Sequence, residues 1–199
     1  MSRTERDQSI TILADEFQGK RLNSPNDVVV KSDGAIYFTD PACGISTVQQ
    51  EQPIEGVYRL SPDGKDLSLV ATQLARPNGL AFSPNEEVLY IADSAQKRIL
   101  ALKVNDDGLL CEPSLFHVME SRTPGAPDGL KVDTEGRVFC AGPGGIWVLD
   151  ARGQYLGTIP TPEKPSNCAW GDEDWRTLYI TAVSSVYRIR VRTQGVKTA

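Results

Sequence analysis

The chain repeats one short phrase four times along its 199 residues, and every copy begins with an amide or an acid. We call these four the opening residues: Asn26, Asn78, Asp128 and Asn167. The copies lie roughly 40–50 residues apart, a spacing typical of modular folds such as propellers. Equivalent positions in a closed ring of repeats face one axis. The four side chains are therefore predicted to converge, as the oxygen ligands of a metal ion do.

Short runs of Val, Ile, Leu, Tyr and Phe alternate with turn residues, and helical periodicity is almost absent, so we predict an all-β chain. In the first copy the runs are 28–30, 36–39, 56–60 and 67–72. In the later copies they are 80–82, 88–92, 98–104 and 114–118, then 130–132, 138–141, 145–149 and 155–159, then 168–170, 177–181 and 186–191. Steps such as Asp33-Gly34 supply the positive φ that tight hairpins need. A four-stranded meander at this spacing predicts a propeller blade, with a plain β-sandwich as the alternative.

The predicted ring contains four blades and one additional strand, because residues 9–15 resemble the last strand of a blade. Either the four blades close on themselves, with that strand completing the last blade, or the chain is the C-terminal part of a longer propeller. We treat 1–199 as a single, partial propeller domain. We expect its ends, 1–8 and 194–199, to be flexible.

Charge and hydropathy argue against several classes of partner. The net charge of −5 disfavours nucleic acid. No apolar run approaches the roughly 20 residues that cross a bilayer, and the first residues do not form a secretory signal. The four cysteines contain no Cys-x-x-Cys pair. We therefore predict reduced thiols in a cytoplasmic protein, with a disulfide left open, and a monomer or weak homo-oligomer.

Three acidic or basic residues outside the opening positions have local interpretations. The only histidine, His117, falls in a predicted outer strand, which argues against a Ser-His-Asp hydrolase. Asp40 and Asp93 follow the second run of their copies and are interpreted as turn residues. The opening residues have a local alternative too, since Asn and Asp before glycine commonly form turns.

Four motifs carry a resemblance to a known family. They are Asn23-Ser24-Pro25-Asn26-Asp27, Arg76-Pro77-Asn78-Gly79-Leu80, Pro127-Asp128-Gly129 and Ser166-Asn167-Cys168. Together they resemble the gluconolactonase, senescence marker protein and luciferin-regenerating enzyme family over residues 9–193. The resemblance implies a six-bladed propeller with one divalent metal on its axis, and many members of that family hydrolyse sugar lactones.

The resemblance also implies roles for individual residues. Asn78 and Asp128 would be metal ligands, with Asp128 also the catalytic base. Asn26 would lie at the metal or in the substrate pocket. An arginine shortly before that asparagine holds substrate in some members, and Arg21 is the nearest arginine here. Asn167 is interpreted as a substrate-pocket or turn residue and as a weaker candidate ligand.

The chain departs from the family pattern near its start. Family members carry a metal-binding glutamate in a Glu-Gly-Pro motif of an early blade, and this chain has no such motif. Glu51 and Glu55 lie in the wrong strand of their blade. We therefore expect that the first one to two blades are missing, and one metal ligand with them.

Two amides and one acid are hard oxygen donors, which favours calcium, with zinc, magnesium and manganese as other divalent candidates. The sequence thus predicts a lactonase that adds water to a small lactone at an axial metal. A related metal-dependent ester or organophosphate hydrolase would use the same residues. Two further alternatives are a non-catalytic propeller that binds another protein and a truncated, inactive product.

Overall fold

The structure is a computed structural model that describes residues 1–197, and these residues form an all-β propeller without helices. The chain begins with two small hairpins, β1 (Ser2–Thr4) with β2 (Ile10–Ile12) and β3 (Glu16–Phe17) with β4 (Lys20–Arg21). Four successive antiparallel meanders follow, which we call blades one to four. No helix in the described part of the chain could span a membrane.

The blades follow one another along the chain without crossovers. Blade one contains β5 (Val28–Val30), β6 (Ile36–Asp40), β7 (Gly56–Leu60) and β8 (Leu67–Ala71). Blade two contains β9 (Pro77–Phe82), β10 (Val88–Asp93), β11 (Arg98–Lys103) and β12 (Ser114–Val118). Blade three contains β13 (Leu130–Val132), β14 (Val138–Gly142), β15 (Gly145–Leu149) and β16 (Tyr155–Pro160). Blade four contains β17 (Pro165–Gly171), β18 (Thr177–Ala182) and β19 (Val186–Arg190).

The second strands of blades one to three are buried along almost their whole length, so these blades have two apolar faces, and successive blades pack face to face. Blades one and two share a core in which the ring of Tyr37 meets that of Phe82 edge-on, with centroids 5.1 Å apart. Blades three and four meet in the same way through Phe139 and Trp170, at 5.0 Å. Burial of these aromatic rings holds neighbouring blades against each other.

The predicted turns form between strands of one blade. Gly34 has φ 91° in the turn between β5 and β6, and Gly136 has φ 80° in the turn between β13 and β14. The first strands of blades two and four begin three residues earlier than predicted, at Pro77 and Pro165. Asn78 and Asn167 therefore lie inside strands, whereas Asn26 and Asp128 precede theirs.

The leftover strand within 9–15 does not complete blade four. Residues Ile10–Ile12 pair with Ser2–Thr4, and within the described residues β19 pairs only with β18. The arrangement in which the leftover strand closes a four-bladed ring is therefore wrong. The segment expected to be flexible at 1–8 includes β1.

The segment expected to be flexible at the other end, 194–199, makes hydrogen-bonded contacts with the blades at Gly195. Gly195 forms an isolated bridge with Asp133, and its amide donates to the Trp175 carbonyl at 2.8 Å. Residues 198–199 lie outside the described part of the chain.

Candidate active site at one rim of the ring

All four opening residues lie at one rim of the ring, which we call the opening rim. In an antiparallel meander, the first strand begins where the second ends and the third begins. The Asn26 amide accordingly donates to the Thr39 carbonyl at the end of β6, at 2.9 Å. The Asp128 amide donates to the Ala141 carbonyl near the end of β14, also at 2.9 Å. The repeat thus places equivalent side chains at the same end of each blade.

Glycines bring three of these opening residues against one another. A Cβ on Gly79 would lie 2.5 Å from the Asp128 carbonyl oxygen, and a Cβ on Gly129 would lie 2.0 Å from the side-chain carbon of Asn167. Only a residue without a side chain permits such close approach of neighbouring backbones. The structure therefore brings Asn78, Asp128 and Asn167 together at the starts of adjacent blades.

Blade one has an aspartate where blades two and three have that glycine. The Asp27 carboxylate accepts a hydrogen bond from the Leu80 amide of blade two at 3.3 Å. Its Oδ2 atom also lies 3.9 Å from the Lys131 ammonium of blade three. Asp27 and Lys131 are charged groups near the axis that repeat analysis missed. The missing glycine after Asn26 was the sequence signal that could have drawn attention to Asp27.

The side chain of Asn78 is oriented by a serine from its own blade. Asn78 Nδ2 donates to Ser94 Oγ at 3.2 Å, and that hydroxyl donates to the Pro127 carbonyl at 2.6 Å. The amide is therefore held by its nitrogen, which leaves Oδ1 for a ligand. Thr39 supports the same residue from blade one, because its hydroxyl donates to the Asn78 carbonyl at 2.8 Å.

Asp128 is a half-buried carboxylate in a mixed electrostatic environment. Burial raises its pKa above the ordinary aspartate value, and the charge of Asp27 raises it further. The Lys164 charge and hydrogen bonds with the Asn78 side chain and the Gly129 amide act in the opposite direction. Burial is the largest of these effects, so Asp128 is a stronger base than an exposed aspartate.

The remaining predicted residues differ in their surroundings. Asn26 is exposed at the opening rim. The Asn167 Oδ1 atom accepts a hydrogen bond from the amide of the next residue, Cys168, at 2.8 Å, and Asn167 lies inside β17 rather than in a turn. Arg21 lies in β4, and its Nε donates to Glu51 Oε1 at 2.6 Å, so the structure does not join it to the other opening-rim residues.

Asp40 and Asp93 are structural residues, but the prediction that they form turns is wrong, because each is the last residue of a second strand and bonds a distant loop. Both are fully buried at the end of a second strand. Asp40 accepts hydrogen bonds from the Asn23 and Ser24 amides, each at 2.8 Å, and Asp93 accepts one from the Arg76 amide at 3.1 Å. Each carboxylate thus anchors the loop that leads to a first strand.

His117 lies in β12, away from the opening rim. Its Nδ1 is 2.9 Å from the Gly153 carbonyl, and its ring packs beside Trp147. This placement agrees with a packing role.

The family described as "SMP-30/Gluconolactonase/LRE-like region" matches residues 2–184. The chain belongs to this family. A curated relative named gluconolactonase, from Zymomonas mobilis, is 38% identical over 93% of this chain and 55% of its own length. A lactonase named drp35, from Staphylococcus aureus, is 30% identical over 70% of this chain and 42% of its own length. The chain therefore spans about half the length of these curated relatives.

A solved structure shows the same fold. The gluconolactonase of Xanthomonas campestris superimposes with a TM-score of 0.85 at 39% identity, covering 95% of this chain and 64% of that one. Family membership and the likeness of the two chains agree with the propeller predicted from the repeats.

The donor atoms at the opening rim suit the divalent metal that the family implies. Asn78 offers its Oδ1, Asp128 offers a carboxylate, and Asn26 offers an exposed amide oxygen. Calcium prefers such oxygen donors. Within residues 1–197 no group of three or more His, Cys, Asp or Glu side chains could hold a metal, and the proposed set contains only one such residue. Asn167 fits less well, because a backbone hydrogen bond already uses one of the two lone pairs of its oxygen.

Proposed function

We propose that this chain hydrolyses sugar lactones at the opening rim. The observation that carries the proposal is the close approach of Asp128 and Asn78 at the starts of adjacent blades, where Ser94 leaves Asn78 Oδ1 available. Membership of the family and the names of its lactone-hydrolysing relatives support the same reaction. In this proposal Asn78, Asp128 and Asn26 hold one divalent cation, calcium in preference to zinc, magnesium or manganese.

The residues of the chain account for the proton movements. Asp128 accepts a proton from water, and the resulting hydroxide adds to the lactone carbonyl carbon. The bond between that carbon and the ring oxygen then breaks, and the ring oxygen takes the proton back from Asp128. The product is an open-chain hydroxy acid. A bound divalent cation supplies Lewis-acid polarisation of the carbonyl.

The other opening residues position the substrate in this proposal. Asn26 is exposed at the rim and can hydrogen-bond to a lactone, and Asn167 is close enough to Gly129 to border the same pocket. Arg21 would have to leave its pair with Glu51 to reach the substrate. Its substrate role therefore predicts a movement of the β3–β4 hairpin.

We further infer a cytoplasmic protein that acts on a small molecule as a monomer or weak homo-oligomer. All four cysteines, Cys43, Cys111, Cys140 and Cys168, are free thiols. Free thiols are the usual state in a reducing compartment.

A substrate and metal panel tests the proposal. The chain, treated with a chelator and dialysed, is assayed on glucono-δ-lactone and on a phosphotriester with calcium, zinc, magnesium or manganese added back. We expect lactone hydrolysis that requires added metal and is greatest with calcium. Phosphotriester turnover without lactone hydrolysis would replace the proposal with an organophosphate hydrolase. No turnover of either substrate would favour a binding module or an inactive product.

A further inference from the structure

Blade four contains three strands in the described part of the chain, whereas blades one to three contain four. Its last strand, β19, pairs on one side only, with β18, and four of its five residues are exposed. The third strands of the other blades, β7, β11 and β15, are largely buried, and each pairs with a fourth strand. The other side of β19 therefore presents backbone amides and carbonyls that can pair with a further strand.

The first hairpin of the chain contains a second strand with a free edge. Among the described residues β2 pairs with β1 alone, and all three of its residues are exposed. Ile10 and Ile12 are 70% and 65% exposed, and they lie on the same face because side chains alternate along a strand. A two-stranded hairpin has little stability by itself, so this apolar strand gains by joining a larger sheet.

The sequences of β19 and of residues 10–14 repeat those of the last two strands of blade one. The run Val186-Tyr187-Arg188-Ile189 matches Val57-Tyr58-Arg59-Leu60 in β7. The run Ile10-Thr11-Ile12-Leu13-Ala14 matches Leu67-Ser68-Leu69-Val70-Ala71 in β8, with apolar, hydroxyl and alanine residues in the same order. In blade one these two strands are antiparallel neighbours. The same two patterns therefore occur once as a formed pair and once as two free edges.

The pair in blade one predicts the register of the second pair. Tyr58 of β7 lies opposite Leu69 of β8. The same register places Ile12 opposite Tyr187, and cross-strand neighbours share one face of a sheet. Tyr187 packs against the core between blades three and four. Both isoleucines of β2 would therefore extend that core.

The charges of the two segments are complementary. Opposite charges favour the pairing of one segment with the other, and they penalise the pairing of either segment with a copy of itself. Residues 183–197 contain no acid and four basic residues, Arg188, Arg190, Arg192 and Lys197. Residues 5–16 contain one arginine and four acids, Glu5, Asp7, Asp15 and Glu16.

The hairpin is attached to blade one of its own chain. The amides of Leu13 and Ala14 donate to the Met1 carbonyl at 3.0 and 3.2 Å. Ala14 and Met1 belong to the apolar cluster around Phe38 and Tyr58 of blade one. β19 belongs to blade four, at the other end of the row of blades. A strand that reaches β19 in this register therefore comes from a second copy.

We propose that β2 of one copy adds to β19 of a second copy as the fourth strand of blade four, which joins the copies head to tail. This contact specifies the homo-oligomer inferred above and does not depend on the lactonase reaction. Each copy donates one strand and accepts another, so the association continues past a dimer unless the copies close into a ring.

Sedimentation equilibrium over a concentration series tests the contact. We expect the average mass of the unmodified chain to rise with concentration. Ile10→Lys combined with Ile12→Lys disables β2, and Ile189→Lys disables β19. Each variant should associate at least about 10-fold more weakly, because the contact would bury a charge. Val48→Lys, at a loop position that is 93% exposed, is the matched control and should associate like the unmodified chain.

A mixture of the two disabled variants distinguishes the head-to-tail contact from any other association. The Ile189→Lys chain keeps its β2, and the Ile10→Lys, Ile12→Lys chain keeps its β19. The two should form a dimer of one copy each, although neither associates by itself. A mixture that stays monomeric overturns the proposal. So does an unmodified chain that stays monomeric up to about 1 mM, or association that persists unchanged in both variants.

Thermal melts of each variant separate a lost contact from a lost fold. If Ile189→Lys melts early, Arg188→Glu takes its place, because Arg188 is exposed and the change reverses a charge on β19. Mass is the readout throughout, so a chain without lactone hydrolysis would refute the lactonase proposal and leave this test unaffected.

Discussion

The second and third opening residues differ from the first and fourth, although all four come from one repeated phrase. Asn78 and Asp128 are each followed by a glycine, and the Gly79 backbone closely approaches that of Asp128. Asn26 is followed by Asp27, and Asn167 by Cys168. The central pair presents a free amide oxygen and a half-buried carboxylate, whereas Asn167 directs its oxygen to its own backbone. Equivalent positions in a ring therefore need not have equivalent chemistry.

The cause lies in the residues that surround each opening residue. Ser94 holds Asn78 by its nitrogen, so that the oxygen is available to a ligand. Asn167 has a neighbouring amide, that of Cys168, within 2.8 Å of its oxygen. A side-chain amide oxygen has two lone pairs, so the backbone hydrogen bond at Asn167 occupies one of them and constrains the direction of the other, whereas Asn78 is held through its nitrogen.

The largest expected difference between the two pairs is catalytic. Asp128→Asn keeps the shape and one oxygen but removes the base and its charge, and we expect turnover to fall about 10²- to 10⁴-fold. Asn167→Ala should reduce turnover less than about 10-fold, because its oxygen serves the backbone. Initial rates on glucono-δ-lactone measure both, with circular dichroism as the check on folding. Similar losses in the two variants would contradict the proposed division of roles.

The second difference is in stability. Gly79→Ala places a Cβ 2.5 Å from the backbone of Asp128, and we expect it to lower the free energy of unfolding by about 1–3 kcal/mol. Gly129→Ala meets the Asn167 side chain, which can rotate away, so its cost should be smaller. Urea unfolding measures both. The double variant Gly129→Ala with Asn167→Ala should recover stability relative to Gly129→Ala alone, and no recovery would show that backbone crowding dominates there too.

A third, smaller difference concerns the hydroxyl groups that orient the side chains of the opening residues. Ser94→Ala removes both the acceptor for Asn78 Nδ2 and the donor to Pro127, and we expect about 10-fold lower activity with a loss of about 1 kcal/mol in stability. The matched change Ser166→Ala removes a hydroxyl that faces Thr181 beside Asn167, and it should leave activity nearly unchanged. Calcium titration followed by thermal melts distinguishes a weakened metal site from a loss of fold. Unchanged calcium binding in Ser94→Ala would remove the orienting role.

The smallest effects concern the thiols. Burial raises the pKa of Cys168 to about 12 and raises that of Cys140 further, so both thiols stay protonated near neutral pH. We expect neither to react with a thiol reagent in the folded chain, whereas Cys43 and Cys111, which are only partly buried, should react slowly. Labelling followed by mass spectrometry identifies the modified positions. Fast labelling of Cys168 in the folded chain would show that blades three and four separate at the opening rim.

Much of the fold could be predicted from local pattern. The short apolar runs between turn residues placed nearly all the strands of blades one to four, because a strand buried on both faces is a continuous apolar run that a few residues reveal. Asp33-Gly34 marked a turn for the same local reason. The pairing of β1 with β2 was not predictable from residues 9–15 alone, since a single edge strand does not specify its partner.

The sequence by itself determined the propeller blades and the placement of Asn26, Asn78, Asp128 and Asn167 at one rim. A repeated antiparallel meander leaves no other position for its first residues. Only the tertiary structure decided which of their oxygens are available and which other groups lie beside them. Ser94 and Asp27 acquire their surroundings from the packing within and between blades. That packing depends on backbone approach between segments far apart in the chain, and a repeat read along one strand carries no record of it.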